Sequence, residues 1–464
     1  MTAHEQQRLG TGTLDRAHAS ALPDYDRSPA PCIAHLGFGA FARAHLAVYA
    51  DELLRRGRPA LIRGVSIRSP RAQEQLEPQD GLFTVAVREP GEDTALEVIG
   101  ALASMETGAV AALDAMTAPA TRLVTLSITE KGYEPTLDTP GPSKKQATVP
   151  ELIALALARC RRDKLVPPVF APLDNLLDNG NLLRERVLES AERIDPQLPP
   201  WVADNVLFPS SVVDRMVPAP TARDVEDIAA SLGLLDLAAV STERHRSWIM
   251  RSVDQLAALA EVGVQLVDDV TPYERRKLWL LNGPHSAVAY GGLLIGHDTI
   301  AGAVADPVIA RFVRGIVDDT LEVAELPAAL GPAAFAEEAL RRFANPALGH
   351  RCAQVGADGS SKLPQRLLPV VAVRSERGLP TTRFAVVAAI WIAATAGIAV
   401  RGVRLPLLED PTAGALRAAS RRDDLQELSH FALGSDADTA FMAEVASALR
   451  RLATEGPALP ETER

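Results

Sequence analysis

Cys32-Ile33-Ala34-His35-Leu36-Gly37-Phe38-Gly39-Ala40-Phe41-Ala42 is the stretch on which the fold turns. Its first five residues are a short apolar run of strand character. The next six read Gly-x-Gly-x-x-Ala and open a segment of helical spacing through Leu54. In such a turn the first glycine permits the tight bend and the second lets backbone approach a pyrophosphate. The small third residue lets helix pack on strand, and the helix N-terminus faces the phosphates. Strand, glycine turn and helix in this order mark a dinucleotide-binding domain, with Gly37, Phe38, Gly39, Ala40 and Phe41 as candidate cofactor contacts. The next strand, residues 61–67, ends in Arg68-Ser69, where an NAD site usually has an acid for the ribose hydroxyls. Arg68 is either a holder of a 2′-phosphate or a solvated charge, so NAD is expected and NADP stays open.

Working outward, residues 83–88, 96–99, 122–128 and 166–173 are further strand candidates, and 151–162 has helical spacing. Strands alternating with helices imply βαβ units and a mostly parallel sheet covered on both faces. Beyond residue 270 the texture changes to long Ala/Leu/Arg segments at 273–294, 307–326, 332–344, 384–400, 414–433 and 438–454. The expected fold is an α/β N-terminal Rossmann-type domain with a mainly α-helical C-terminal domain. The boundaries read as an extended leader over 1–30, which carries Pro23 and Pro29, then a dinucleotide-binding domain over 31–270 and a helical substrate-binding domain over 271–464.

With 464 residues the chain is longer than one core usually organises. Lys+Arg 48 against Asp+Glu 59 gives a net charge of −11, which argues against general binding to nucleic acid or anionic lipid. Cys32, Cys160 and Cys352 are far apart and odd in number, the pattern of reduced cytosolic thiols. Cys32 and His35 form a lone C-x-x-H, too few ligands for structural zinc. The polar first thirty residues have no signal-peptide core. The apolar run 384–400 falls short of the ~20 residues a membrane span needs and reads as a buried helix. A cytoplasmic protein is expected, without nucleic-acid or membrane partners and monomeric or weakly homo-oligomeric. Basic residues are overwhelmingly arginine: the lysines are Lys131, Lys144, Lys145, Lys164, Lys277 and Lys362. Since only lysine readily gives up its proton on burial, each one invites a question.

The densest chemical segment runs from Tyr273 through Lys277 and Asn282 to His285. Tyr273 and Lys277 make the YxxxK of short-chain dehydrogenases. The pair lies far beyond the glycine turn, however, and that turn is not their TGxxxGxG, so the match is set aside. The spacing Lys-x4-Asn-x2-His suits a single helix whose three side chains reach one pocket. A desolvated Lys277 can accept an alcohol proton as hydride leaves for nicotinamide. Asn282 can donate to the developing alkoxide and His285 can orient the substrate. The alternative is a plain helix turn with an Asn-Gly-Pro break.

Six segments occur in order: GFGAFARAH (37–45), SITEKGY (127–133), FPSSVVDRMVP (208–218), KLWLLNGPHSAVAYGG (277–292), RFANPALGH (342–350) and DGSSKLPQR (358–366). Together they resemble the polyol-specific long-chain dehydrogenases, which include mannitol 2-dehydrogenases and fructuronate reductases (D-mannonate oxidoreductases). The resemblance covers roughly residues 30–430. It implies a Rossmann-type domain and a helical domain with the active site in the cleft between them, and chemistry without zinc. By position it implies Lys277 as general base, Asn282 and Asn175 as the asparagines that stabilise the oxyanion, and His285 as a substrate contact. Glu274 falls where members place a carboxylate that passes protons to solvent. Asp214 and Lys362 match contacts to substrate hydroxyls, and each has a plain alternative: pairing with Arg215 or capping a turn for Asp214, a surface charge for Lys362. Thr129 and Glu130, in SITEKGY, are further expected cofactor contacts.

The departures concern the substrate. Gln354 and Ala357 stand where mannitol-type members resemble each other in carrying Arg and His, while RFANPAL and KLPQR look like fructuronate-type segments. Ala42 stands where the family pattern leads one to expect histidine. The resemblance therefore implies an NAD(P)-dependent enzyme that interconverts a polyol or aldonate secondary alcohol with its ketone. D-mannitol with D-fructose is the first reading; D-mannonate with D-fructuronate, or D-arabinitol, is the alternative. The rival of another class is a nucleotide sensor that has kept the fold and lost turnover.

Overall fold

The computed structural model describes residues 7–128, 132–133, 147–422, 424–434 and 438–460. The chain divides into two compact units, Met1–Val270 and Thr271–Arg464. Thr129 and Glu130 lie outside the described residues.

The first unit carries strands β1 (Ile33–Leu36), β2 (Ile62–Ser66), β3 (Phe83–Val87), β4 (Ala95–Ile99), β5 (Leu102–Thr107), β6 (Leu123–Leu126), β7 (Val169–Pro172), β8 (Ser211–Asp214), β9 (Val240–Thr242), β10 (Ser247–Arg251) and β11 (Gln265–Val267). Five of them form one sheet in the order β5-β2-β1-β6-β7. Every pairing within it is parallel, with Ile33 beside both Ile62 and Leu123. Such a sheet needs both faces covered, and its strands are correspondingly apolar. Alternate residues serve opposite faces: Leu123, Val169 and Ala171 join one core. Val124, Leu126 and Phe170 join the other, with the helices Val149–Asp163 and Asn179–Ile194. Two three-stranded sheets, β11-β10-β8 and β4-β3-β9, complete the unit.

β5 and β8 to β11 were not expected from the sequence. β5, LASMET, is a sheet edge with a mixed burial pattern, so its apolar signal is thin. β8, β9 and β11 have only three or four residues each. The expected leader is tied into the unit: Leu9 is fully buried, and the Tyr25 hydroxyl donates to Asp51.

The second unit is helical, as its texture foretold. Its helices include Thr271–Lys277, Gly283–Ile295, Pro307–Val323, Pro332–Phe343, Gly359–Arg366, Thr382–Ala396 and Thr439–Thr454. The apolar Thr382–Ala396 helix is buried from Phe384 to Ala396 and ends at Gly397, whose φ of 74° is left-handed. Among the described residues no helix is long and apolar enough to cross a membrane.

Candidate active site

The turn after β1 is shaped by glycine. Gly37 has φ +89°, and a Cβ there would lie 2.3 Å from the Ser127 carbonyl oxygen, so no other residue fits. Its N–H donates to Val65 O at 2.8 Å, which locks the turn to β2. A Cβ on Gly39 would meet only Gly37 O, at 3.8 Å, so the backbone there borders open space. That space is a cleft of about 1280 Å³ within the first unit, lined by Gly37, Phe38, Gly39 and Ala40, by Ser66 at the end of β2 and Ser69 and Arg71 beyond it, and by Arg43. An open glycine turn at the head of a helix and a long cleft fit a dinucleotide. Phe38 buries its ring in the core, and Phe41 stacks on His45 at a centroid distance of 5.0 Å. Arg68 is exposed and is not among the residues that line the cleft.

Asn175 lies in the turn between β7 and the Asn179–Ile194 helix, and Asp214 ends β8. One residue ties the two segments together. Asn179, fully buried, donates through Nδ2 to Asp174 O and to Ser211 O at 2.9 Å each, and its Oδ1 accepts from Ser211 N at 2.9 Å. Asp174 accepts from Ile128 N at 2.6 Å and from the Tyr133 hydroxyl at 2.5 Å. Burial pushes its carboxyl up to about 7. Asp214 does not pair with Arg215, which instead donates to the carbonyls of Ala44 and Glu243. Its carboxylate lies 3.3 Å from His245 Nε2.

In the second unit, Glu274, Lys277, Asn282 and His285 are all buried on one continuous helical rod. The rod is not uniform. Leu278–Asn282 forms a π turn, with Gly283 N–H bonded to Leu278 O five residues back. On an α-helix, residues five apart point about 140° away from each other. Bonding from i to i+5 stacks them instead, and this turns the Lys277–Asn282 spacing into a shared face. His285, three residues on, follows on the α-helical part. Asn282 Nδ2 and His285 Nε2 are buried without a hydrogen-bond partner among the described residues.

His285 stacks on Phe343 at 4.6 Å and 11°, with His350 edge-on at 5.2 Å. Burial first, then the fields of His350, Arg366, Arg342 and Lys362, hold its imidazole well below the ordinary histidine range, so it is neutral at pH 7. Lys362 donates to Ala357 O at 2.6 Å and Val355 O at 3.2 Å, and it depresses His350 as well. The sequence-predicted Lys362 and His285 thus belong to one electrostatic neighbourhood. Cys32 and His35 do not share a ligand: the thiol faces Pro59 O, and His35 Nδ1 bonds to Thr125 Oγ1 at 2.7 Å.

Residues 31–261 match the model of the mannitol dehydrogenase Rossmann domain, and residues 269–453 match that of the mannitol dehydrogenase C-terminal domain. The chain belongs to the mannitol dehydrogenase family. D-mannonate oxidoreductase of Escherichia coli K12 is 35% identical over 425 residues, covering 86% of this chain and 87% of that protein. A mannitol 2-dehydrogenase of Phaeosphaeria nodorum is 30% identical over 480 residues, covering 97% and 84%. The solved ternary complex of Pseudomonas fluorescens mannitol 2-dehydrogenase with NAD and D-mannitol matches with a TM-score of 0.88 at 28% identity, over 97% of this chain and 98% of that one.

Within this family frame, three features escaped the sequence reading: Arg43, Asn179 and the π turn. Asn179 had a signal in the Asp-Asn-x3-Asn spacing, and the π turn had one in the Lys-x4-Asn spacing that an α-helix serves poorly. Arg43 stands inside the quoted GFGAFARAH segment, yet nothing in the sequence marks it as buried.

Proposed function

We propose that this member of the mannitol dehydrogenase family oxidises a secondary alcohol of an open-chain polyol or aldonate to the ketone, and runs the reverse reduction, with NAD as cofactor and without zinc. The observation that carries the reading is the buried pair Asn282 Nδ2 and His285 Nε2, left unspent beside Lys277 on one helix. Buried polar atoms without partners are costly, and a bound substrate oxygen would satisfy them.

When bound, the nicotinamide supplies the hydride acceptor. Lys277 takes the hydroxyl proton as the carbonyl forms. Asn282 and Asn175 donate to the oxygen as negative charge grows on it, a role preorganised donors fill well in a water-poor site. Neutral His285, clamped by Phe343, orients the substrate without adding charge. Glu274, one turn before Lys277, relays its proton. Asp214 and Lys362 contact the remaining hydroxyls. D-mannitol with D-fructose is the first substrate pair.

A second reading, D-mannonate with D-fructuronate, is favoured by a specific observation. Arg342, Arg366 and Lys362 act together on His285, and such a cationic surround suits a substrate carboxylate.

The test is a panel: NADH oxidation with D-fructose and D-fructuronate, and NAD reduction with mannitol, arabinitol, sorbitol and mannonate, each repeated with Lys277→Ala. Turnover lost in the variant supports the assignment. Wild type and variant equally inert while NADH still binds would make the chain a nucleotide sensor.

A further inference from the structure

Resting on the reading that the first unit holds a dinucleotide, we infer that the ribose end of its cleft holds a 2′-phosphate through Arg43, Ser69 and Arg71, so that this chain takes NADP(H) as well as NAD(H).

The argument starts from a buried cation. Arg43 is only 6% exposed and lines the cleft, and its Nε is buried without a partner among the described residues. Burying a guanidinium without hydrogen bonds is expensive, so the position makes sense when an anion completes it. Among the described residues no acid does so. The carboxylate whose field reaches Arg43 is Asp236. Its oxygens are already taken by Gln79 Nε2 at 2.8 Å, Thr84 N at 2.6 Å and Ala238 N at 2.8 Å.

A second observation places the anion. Arg71 lines the same cleft and lies close enough to repel Arg43. A dianionic phosphate held by both guanidiniums turns that repulsion into charge-assisted hydrogen bonding, for which the planar guanidinium fork is suited. Ser66 and Ser69, at and beyond the end of β2, present hydroxyl groups where an NAD-selective site puts a carboxylate. Ser69 Oγ accepts from Arg71 N at 3.3 Å, which sets the turn that carries the arginine. Among the described residues that line the cleft, the one acid is Glu226, exposed on the Ala222–Leu232 helix.

Two probes that differ only in the group of interest, 2′,5′-ADP and 5′-AMP, are titrated calorimetrically into the full chain. The expected result is that 2′,5′-ADP binds at least about tenfold tighter at low salt. The ratio should shrink as salt is raised, and it should fall towards one in Arg71→Ala and in Ser69→Asp. Because Arg43 is buried, Arg43→Lys serves in place of Arg43→Ala; it keeps the charge, loses the fork and should also narrow the ratio. Equal binding of the two probes in the wild type would overturn the inference alone. Failure of both probes and of NADH to bind would overturn it together with the dinucleotide reading beneath it.

Discussion

Asn179 is the residue whose loss should separate architecture from chemistry most cleanly. Asn179→Ala deletes three buried hydrogen bonds of 2.9 Å and strands Ser211 N, Ser211 O and Asp174 O inside the protein. Taking about 1 kcal/mol net for each bond, and more where a stranded group stays dry, the cost to the first unit is about 3–5 kcal/mol. The damage also reaches function, because Asp174 and Ser211 anchor the segments that carry Asn175 and Asp214. Urea denaturation followed by circular dichroism should show the loss as a lower midpoint, and kcat/KM should fall by more than about tenfold. Asn181→Ala is the control. It lies on the same helix, is exposed, and donates to Asp178, so its effect should stay within about 0.5 kcal/mol. An Asn179→Ala protein as stable as the Asn181→Ala control, with unchanged kcat/KM, would refute the reasoning.

Lys277→Ala should lower kcat by about 10²- to 10⁴-fold while NADH affinity measured by fluorescence is retained, and Lys277→Arg should not restore it, because arginine keeps its proton. Gly283→Val should impair turnover: even a Cβ there would sit 3.1 Å from Arg366 O and 3.5 Å from Leu278 O, and steady-state kinetics at matched stability would show it. Acid should weaken the fold. Burial holds His35 and His45 near pKa 3 and His350 near 4. The unfolded chain then binds more protons below about pH 6.5, and stability present above that pH drains away as pH falls, at about 2 kcal/mol per histidine by pH 5. Asp174 opposes this, because its raised value means that about 2 kcal/mol returns between pH 7 and 5. The balance still favours a lower Tm at pH 5 than at pH 7 in a thermal melt, and a flat or rising Tm would contradict it.

The sequence made the parallel sheet legible because its central strands are short and apolar and the turn after the first requires glycine at 37. It hid the edge strand Leu102–Thr107, where only Leu102 and Met105 are buried and the apolar pattern thins out. The helical unit was plain from periodicity, and Lys277, Asn282 and His285 were plain from their clustering. Their geometry was not: helical spacing assumed a uniform helix, whereas the π turn does the aligning. Arg43 was invisible as a candidate because an arginine written in sequence carries no mark of its burial, and burial is what makes it informative. Asn179 was hidden for a related reason. Its role depends on Ser211, which is distant along the chain and adjacent only once β8 is in place.

The π turn has a consequence for how this helix tolerates changes in length. A π turn holds one residue more than the α turn it replaces, so the segment between Lys277 and Gly283 contains a spare position. Removing any one of Leu278, Trp279, Leu280 or Leu281 would let the backbone heal into unbroken α-helix with little loss of hydrogen bonding. Asn282 would then stand four residues after Lys277, about 40° round and still on the lysine's face. Relaxing the π turn to α-helix with every residue kept would instead swing Asn282 and His285 about 100° off that face. At this place residue number and turn type have to match, and the helix is best regarded as a ruler with one extra graduation.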